Sequence, residues 1–223
     1  MNMGFAVIFD MDGVLVENSE IHDKAWQMIC RKYGKKVSTD TIKAIFGGTN
    51  KIFVSRLLGI NDEKEINAVA IEKEALYRTL YEETIHLPEG LLNLLKGLKR
   101  NRIVMAVATS GPTENLDFVL DKLKIRHFFD VLVDESCVTK GKPDPEIYLI
   151  TAEKLGLKPE NCIVIEDSVF GIQAAKAAEM NVIGITTTFK AEQIKKAHLI
   201  IHSFKELNIE KIKALINNLF KVM

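Results

Sequence analysis

The sequence predicts an α/β fold: a doubly wound, mainly parallel sheet with a small all-helical unit inserted after the first strand. Three observations predict it. Short, continuous apolar runs alternate with helical patterns through the second half of the chain. Several of these runs end abruptly in carboxylate or hydroxyl residues. The one long stretch without a strand, residues 18–86, directly follows the first run.

Residues 5–9, Phe-Ala-Val-Ile-Phe, form that first run and stop at Asp10-Met11-Asp12-Gly13. A run with no polar alternation reads as a strand buried on both faces, as in parallel sheets. The strandless stretch carries amphipathic helical patterns over 19–33, 39–46, 52–58 and 63–83, with Trp26 in its core. Pro88-Glu89-Gly90 marks the return to α/β order. The expected division is an α/β core from 1–17 and 88–223, and a helical unit from 18–87. A helix over 91–99 leads to a second strand at 103–108, which runs into Thr109-Ser110-Gly111. The helix over 113–123 places Leu116, Val119, Leu120 and Leu123 on one face. Further strands are expected at 131–133, 162–165, 182–185 and 198–202, with helices over 145–155 and 171–178. Residues 205–222 read as a final helix docked on the sheet. Crossovers between parallel strands should be right-handed.

Thirty Lys and Arg balance thirty Asp and Glu in 223 residues, so the formal net charge is zero. That excludes a broad electrostatic attraction to nucleic acid or to an anionic membrane. No apolar run approaches the roughly 20 residues that span a bilayer, and the first residues lack the basic start of a signal peptide. Cys30, Cys137 and Cys162 are too scattered for a zinc pair. They read as reduced thiols, which places the protein in the cytoplasm.

In open α/β sheets ligands bind beyond the carboxyl ends of the strands. Those ends present Asp10 and Asp12, then Thr109, then Glu166 and Asp167, and Lys142 in Gly141-Lys142-Pro143-Asp144-Pro145 can supply a cation. Crowded carboxylates repel one another and call for a cation. Oxygen ligands without His or Cys point to Mg²⁺, for which Asp10, Asp12, Glu166 and Asp167 are the candidates. With charge offset, an aspartate can attack phosphorus and form an aspartyl-phosphate. A carboxylate two residues on can protonate the leaving alcohol and then deprotonate water. Thr109 and nearby backbone N–H groups can bind the phosphoryl oxygens.

Four motifs in order give these residues a family resemblance. Phe9-Asp10-Met11-Asp12-Gly13-Val14-Leu15-Val16, Thr109 after an apolar strand, Lys142 in GKPDP, and Glu166-Asp167-Ser168-Val169-Phe170-Gly171 are similar to the four motifs of the haloacid dehalogenase superfamily. The resemblance implies a Rossmann-like core with a helical cap after motif one. It implies Asp10 as nucleophile and metal ligand, Asp12 as acid/base with its carbonyl on Mg²⁺, Thr109 and Lys142 on the phosphoryl group, and Asp167 with Glu166 at the metal. Gly13, Ser110 and Gly111 would line the phosphate site. His22 resembles a cap-hinge histidine of sugar-phosphate members, and the loop around Asn50 and Lys51 would either reach the substrate or be an ordinary turn. A monomer is expected, because a cap must open to admit a small phosphorylated metabolite.

The text FDMDGVLVENSEIHDKAW, with GKPDPEIY and EDSVFGIQAA, resembles the β-phosphoglucomutase-like branch, which holds both mutases and sugar-phosphate phosphatases. Asp12 favours phosphate esters over halides or phosphonates. A mutase needs cations for a second phosphate. The branch's mutases place Arg and Lys where this chain has Asn50 and Pro112, with Lys51 next door, and Asn18 replaces the usual hinge Thr or Ser. These departures favour a phosphatase. A mutase, with Lys51 as the substitute cation, and a non-catalytic phospho-ligand binder are the alternatives.

Overall fold

The structure, a computed structural model, describes residues 4–217. β1 (Ala6–Phe9) is followed by four helices, α1 (Ser19–Lys32), α2 (Thr39–Lys43), α3 (Asn50–Leu58) and α4 (Glu63–Tyr81). Then come α5 (Leu91–Arg100), β2 (Val104–Ala108), α6 (Thr113–Lys122), β3 (Val131–Val133), α7 (Glu146–Leu155), β4 (Cys162–Glu166), α8 (Val169–Ala177), β5 (Asn181–Ile185), β6 (Leu199–Ile201) and α9 (Ile209–Ile216). All strand pairs are parallel, in the order β3-β2-β1-β4-β5-β6.

The chain builds outward from β1 to one side and then crosses to the other, so β1 is the switch point of the sheet. Phe9 pairs with Val107 on one side and Ile165 on the other. That register brings Asp10, Thr109 and Glu166 out at the same edge.

Alternate residues of the buried strands feed opposite layers. Val7 and Phe9 pack with α5, α6 and α9 through Leu91, Leu95, Leu116, Val119 and Ile212. Ala6 and Ile8 pack with α7 and α8 through Ile147, Tyr148, Ile172 and Ala174. The continuous apolar character of β1 follows from this two-sided burial.

The inserted helices hold a third cluster, with Trp26 stacked on Phe53 at 5.0 Å and flanked by Ile29, Ile42, Val54 and Val69. α4 serves both regions. Its Val69 lies in this third cluster, whereas its Tyr77 and Tyr81 belong to the core of the sheet.

Two expected helices differ. The pattern over 39–46 ends as α2 at Lys43, because the chain turns ahead of Gly47, whose φ of +87° suits a residue without Cβ. The expected helix over 205–222 is broken. A short 3₁₀ turn at Phe204–Glu206 is closed by a capping box between Ser203 and Glu206. Asn208 then caps α9 by accepting from Lys211 N–H. The part of that expected helix beyond 217 lies outside the described residues.

Candidate active site

The chemistry gathers where β1, β2 and β4 end. Asp10 N–H donates to Ile165 C=O at 3.0 Å, holding the loop after β1 against β4. Lys142 Nζ donates to Asp10 Oδ1 at 2.8 Å and to Glu166 Oε1 at 2.7 Å. All three side chains are buried. Tyr148, on α7, donates its hydroxyl to the same Glu166 oxygen at 3.0 Å, and its ring lies beneath the Lys142 ammonium. Ser168 covers the other oxygen with its N–H at 2.8 Å and its hydroxyl at 3.0 Å, and its Oγ also caps α8 by accepting from Gly171 N–H. A Cβ at Gly171 would overlap the Glu166 carboxylate, which accounts for glycine there.

Asp10, Glu166 and Asp167 can bring one oxygen each within 4.8 Å of one another. Against these carboxylates stands one ammonium, Lys142. Burial, opposed by Lys142 but reinforced by Glu166 and Asp12, pushes the Asp10 carboxyl up to about 7. Burial and the neighbouring Glu166 and Asp10 charges drive Asp167 well above its ordinary value. Glu166 is different: burial opposes its charge, but Lys142 and the Ser168 hydrogen bonds outweigh that and hold it below the usual range. A cluster whose charged form is resisted by its own neighbours fits a second cation, and an all-oxygen donor set fits Mg²⁺. Both Glu166 oxygens accept hydrogen bonds, Oε1 from Lys142 and Tyr148 and Oε2 from Ser168, so the carboxylate also fixes Lys142.

The loops beside this centre are tightly seated. Gly13 has φ +76°, and a Cβ there would run into the Asp167 carboxyl group. Its carbonyl accepts from Thr187 Oγ1. Thr109 N–H continues the sheet to Val133 C=O at 3.0 Å, and its Oγ1 accepts from Gly111 N–H at 3.0 Å. Ser110 Oγ is buried without a hydrogen-bond partner and lines the cavity.

The inserted helices close the other side of the cavity. Asn18 donates to Asp12 Oδ1 and to the Tyr77 hydroxyl, each at 2.6 Å. His22 stacks on Tyr77 at 4.0 Å, with its Nε2 3.5 Å from Asp12 Oδ1. Lys73 Nζ lies 2.7 Å from His22 Nδ1, and the other ring nitrogen, Nε2, faces Asp12. Burial opposes charge on Asp12, but His22, Asn18 and Lys73 outweigh it and hold the carboxyl below its ordinary value. Lys73 also pairs with Glu74 at 2.9 Å, and Glu74 accepts from Asn50 at 2.9 Å and Asn115 at 2.7 Å. Arg78 donates to Asn115 Oδ1 at 2.8 Å.

Of the residues singled out from sequence, Asp10, Asp12, Gly13, His22, Asn50, Thr109, Ser110, Gly111, Lys142 and Asp167 line one cavity, and Glu166 is buried directly behind it. Lys51 does not join them. It is exposed on the outer side of α3, with its Nζ 3.1 Å from Glu63. The first turn of α3 sends Asn50 inward and its neighbour outward. Sequence reasoning missed Lys73, Glu74, Asn115 and Tyr148. Tyr148 stood within the quoted GKPDPEIY text, whereas Lys73 and Glu74 sit in a run of Lys and Glu with the pattern of a solvated face.

Residues 7–185 match the family described as haloacid dehalogenase-like hydrolase. A phosphorylated carbohydrates phosphatase from Thermotoga maritima is 35% identical over 176 residues, covering 78% of this chain and 81% of that protein. β-Phosphoglucomutase from Bacillus subtilis is 32% identical over 215 residues, covering 92% of each. The crystal structure of β-phosphoglucomutase from Clostridium difficile superposes with a TM-score of 0.89 at 31% identity, covering 98% of this chain and 100% of that one. Together with the strand-end carboxylates and the buried Lys142, these matches establish that the chain belongs to the haloacid dehalogenase-like hydrolases, in the branch shared by sugar-phosphate phosphatases and β-phosphoglucomutases.

Proposed function

We propose that this enzyme is a Mg²⁺-dependent phosphatase that hydrolyses a small phosphate monoester, a sugar phosphate by class, through an aspartyl-phosphate on Asp10. Asp10, Asp167 and the Asp12 carbonyl would hold the metal, which when bound neutralises charge on the phosphoryl oxygens. Thr109, Ser110 and Lys142 orient the phosphoryl group against Asp10. The Asp10 carboxylate attacks phosphorus, the ester P–O bond breaks, and Asp12 gives its proton to the departing alkoxide. Asp12, now a carboxylate, takes a proton from water as that water attacks phosphorus, which releases phosphate and frees Asp10. The His22 and Asn18 contacts favour the ionised Asp12 needed in the second half. The incoming phosphate charge favours the protonated form needed in the first. Residues 18–87 would act as the cap that excludes water while the first bond is made.

The observation that carries hydrolysis over phosphoryl transfer between two sugar positions is the use of the cations. Lys142 is engaged by Asp10 and Glu166, and Lys73 by Glu74 and His22. Lys51 points away from the cavity. Among the described residues, no Arg lines it. A second phosphate would lack the cationic clamp a mutase needs. ³¹P NMR with Mg²⁺, β-glucose 1-phosphate and a trace of glucose 1,6-bisphosphate tests this. Growth of inorganic phosphate is expected; growth of glucose 6-phosphate without free phosphate would make the enzyme a mutase.

A further inference from the structure

The cavity also carries, on its helical side, a polar set that the phosphoryl chemistry does not use. Glu74 is buried there with Asn50 from α3 and Asn115 from α6. The orientation of this set is determined. Arg78 donates to Asn115 Oδ1, which turns the Asn115 amide N–H₂ towards Glu74. Lys73 and Asn50 both donate to Glu74 Oε1, and Asn115 donates to Oε2. A carboxylate has about four acceptor positions, so one remains on Oε2, and each amide retains a second N–H outside these bonds. Beside the set stand Trp26, Phe46 and Phe53, an aromatic wall on the same cavity.

We propose that Glu74, held by Asn50 and Asn115, is the specificity-determining residue of this site, accepting a hydroxyl of the leaving group and turning away substrates that carry a second phosphate. This rests on the phosphatase reading and names which phosphate esters it serves: those with one phosphate on a hydroxyl-rich carbon skeleton. The carboxylate accepts hydrogen bonds and the amides donate them, which matches hydroxyl groups that do both. The charges of Lys73 and Glu74 cancel, so a second phosphate would meet a carboxylate with no cation to spare. The C–H faces of a polyol or sugar fit the aromatic wall.

The test compares kcat/KM for sorbitol 6-phosphate, p-nitrophenyl phosphate and fructose 1,6-bisphosphate, measured with wild type, Glu74→Gln and Asn50→Ala. Asn50 is only half-buried, so its truncation spares the fold if the Glu74 variant does not stay folded. Wild type should prefer sorbitol 6-phosphate. The ratio of sorbitol 6-phosphate to p-nitrophenyl phosphate should fall about tenfold in Glu74→Gln, the weight of one charged hydrogen bond, and by less in Asn50→Ala. The ratio of bisphosphate to sorbitol 6-phosphate should rise in Glu74→Gln. Ratios unchanged in both variants would overturn the assignment while leaving the phosphatase intact. If wild type releases no phosphate from any of the three, the phosphatase reading fails and this assignment with it.

Discussion

The two ends of the cavity are built on opposite electrostatic plans. At the sheet end, Asp10, Glu166 and Asp167 face one buried ammonium, and Asp10 and Asp167 are pushed towards holding protons. At the helical end, Lys73 and Glu74 cancel, Asn50 and Asn115 complete the carboxylate, and Arg78 orients Asn115. The first end holds more carboxylates than cations, and on the function proposed above a metal ion would offset that excess before an anionic phosphoryl group binds. The second is already balanced and suits a neutral, hydrogen-bonding partner. The two meet at Lys73, which pairs with Glu74 and contacts the His22 that faces Asp12, so a change at Glu74 is read against a substrate without hydroxyls.

The largest effect is expected from Asp10→Asn, which removes the nucleophile. Turnover should fall by about four orders of magnitude or more, while circular dichroism shows the fold retained because Lys142 keeps Glu166. Lys142→Met should come next. It leaves Asp10 and Glu166 buried without their shared cation, so urea denaturation at neutral pH should show a loss of about 3–5 kcal/mol, with turnover also falling. A result within 1 kcal/mol of wild type would mean that the sheet end is not under the charge stress described here.

A smaller effect concerns the acidic group around Glu135. Burial, with Glu74, Asp134 and Glu114 nearby, raises the Glu135 carboxyl from 4.5 to about 7. The folded protein therefore keeps this proton to higher pH than the unfolded chain does. Its contribution is most favourable below pH 4.5 and is lost as pH rises through about 7. The stability of Glu135→Gln relative to wild type should therefore increase between pH 5 and pH 8. A difference that stays flat or decreases contradicts the shift. The smallest effect belongs to Lys51→Ala. Its exposed pair with Glu63 should be worth under about 1 kcal/mol, and kcat/KM should stay within twofold of wild type. A large loss of activity would return Lys51 to the site and reopen the mutase reading.

The sheet end was legible in the sequence because parallel strands buried on both faces announce themselves as apolar runs, and the chemistry lies in the residues that interrupt them. Asp10 after Phe9, Thr109 after Ala108 and Asp167 after Glu166 are all found this way. The helical end was not. Lys73 and Glu74 lie in a helix where Lys and Glu are the ordinary surface residues, and the docking of α4 against α1, α3 and α6 buries them. Lys51 misled for the same reason: adjacent positions on a helix face different directions, and sequence does not say which one turns inward. The break before α9 rests on the competition of Ser203 and Asn208 for backbone N–H groups, a local contest that an apolar pattern does not record.

The central claim is that Asp10 carries the phosphoryl group. Asp12→Asn, incubated with Mg²⁺ and p-nitrophenyl phosphate, tests it most directly, because that leaving group departs without protonation and the variant lacks the base for the water step. The account predicts a burst of nitrophenol, then slow turnover, with mass spectrometry placing one added phosphoryl group on the peptide that contains Asp10. An unmodified peptide during turnover, together with full activity in Asp10→Asn, would contradict it.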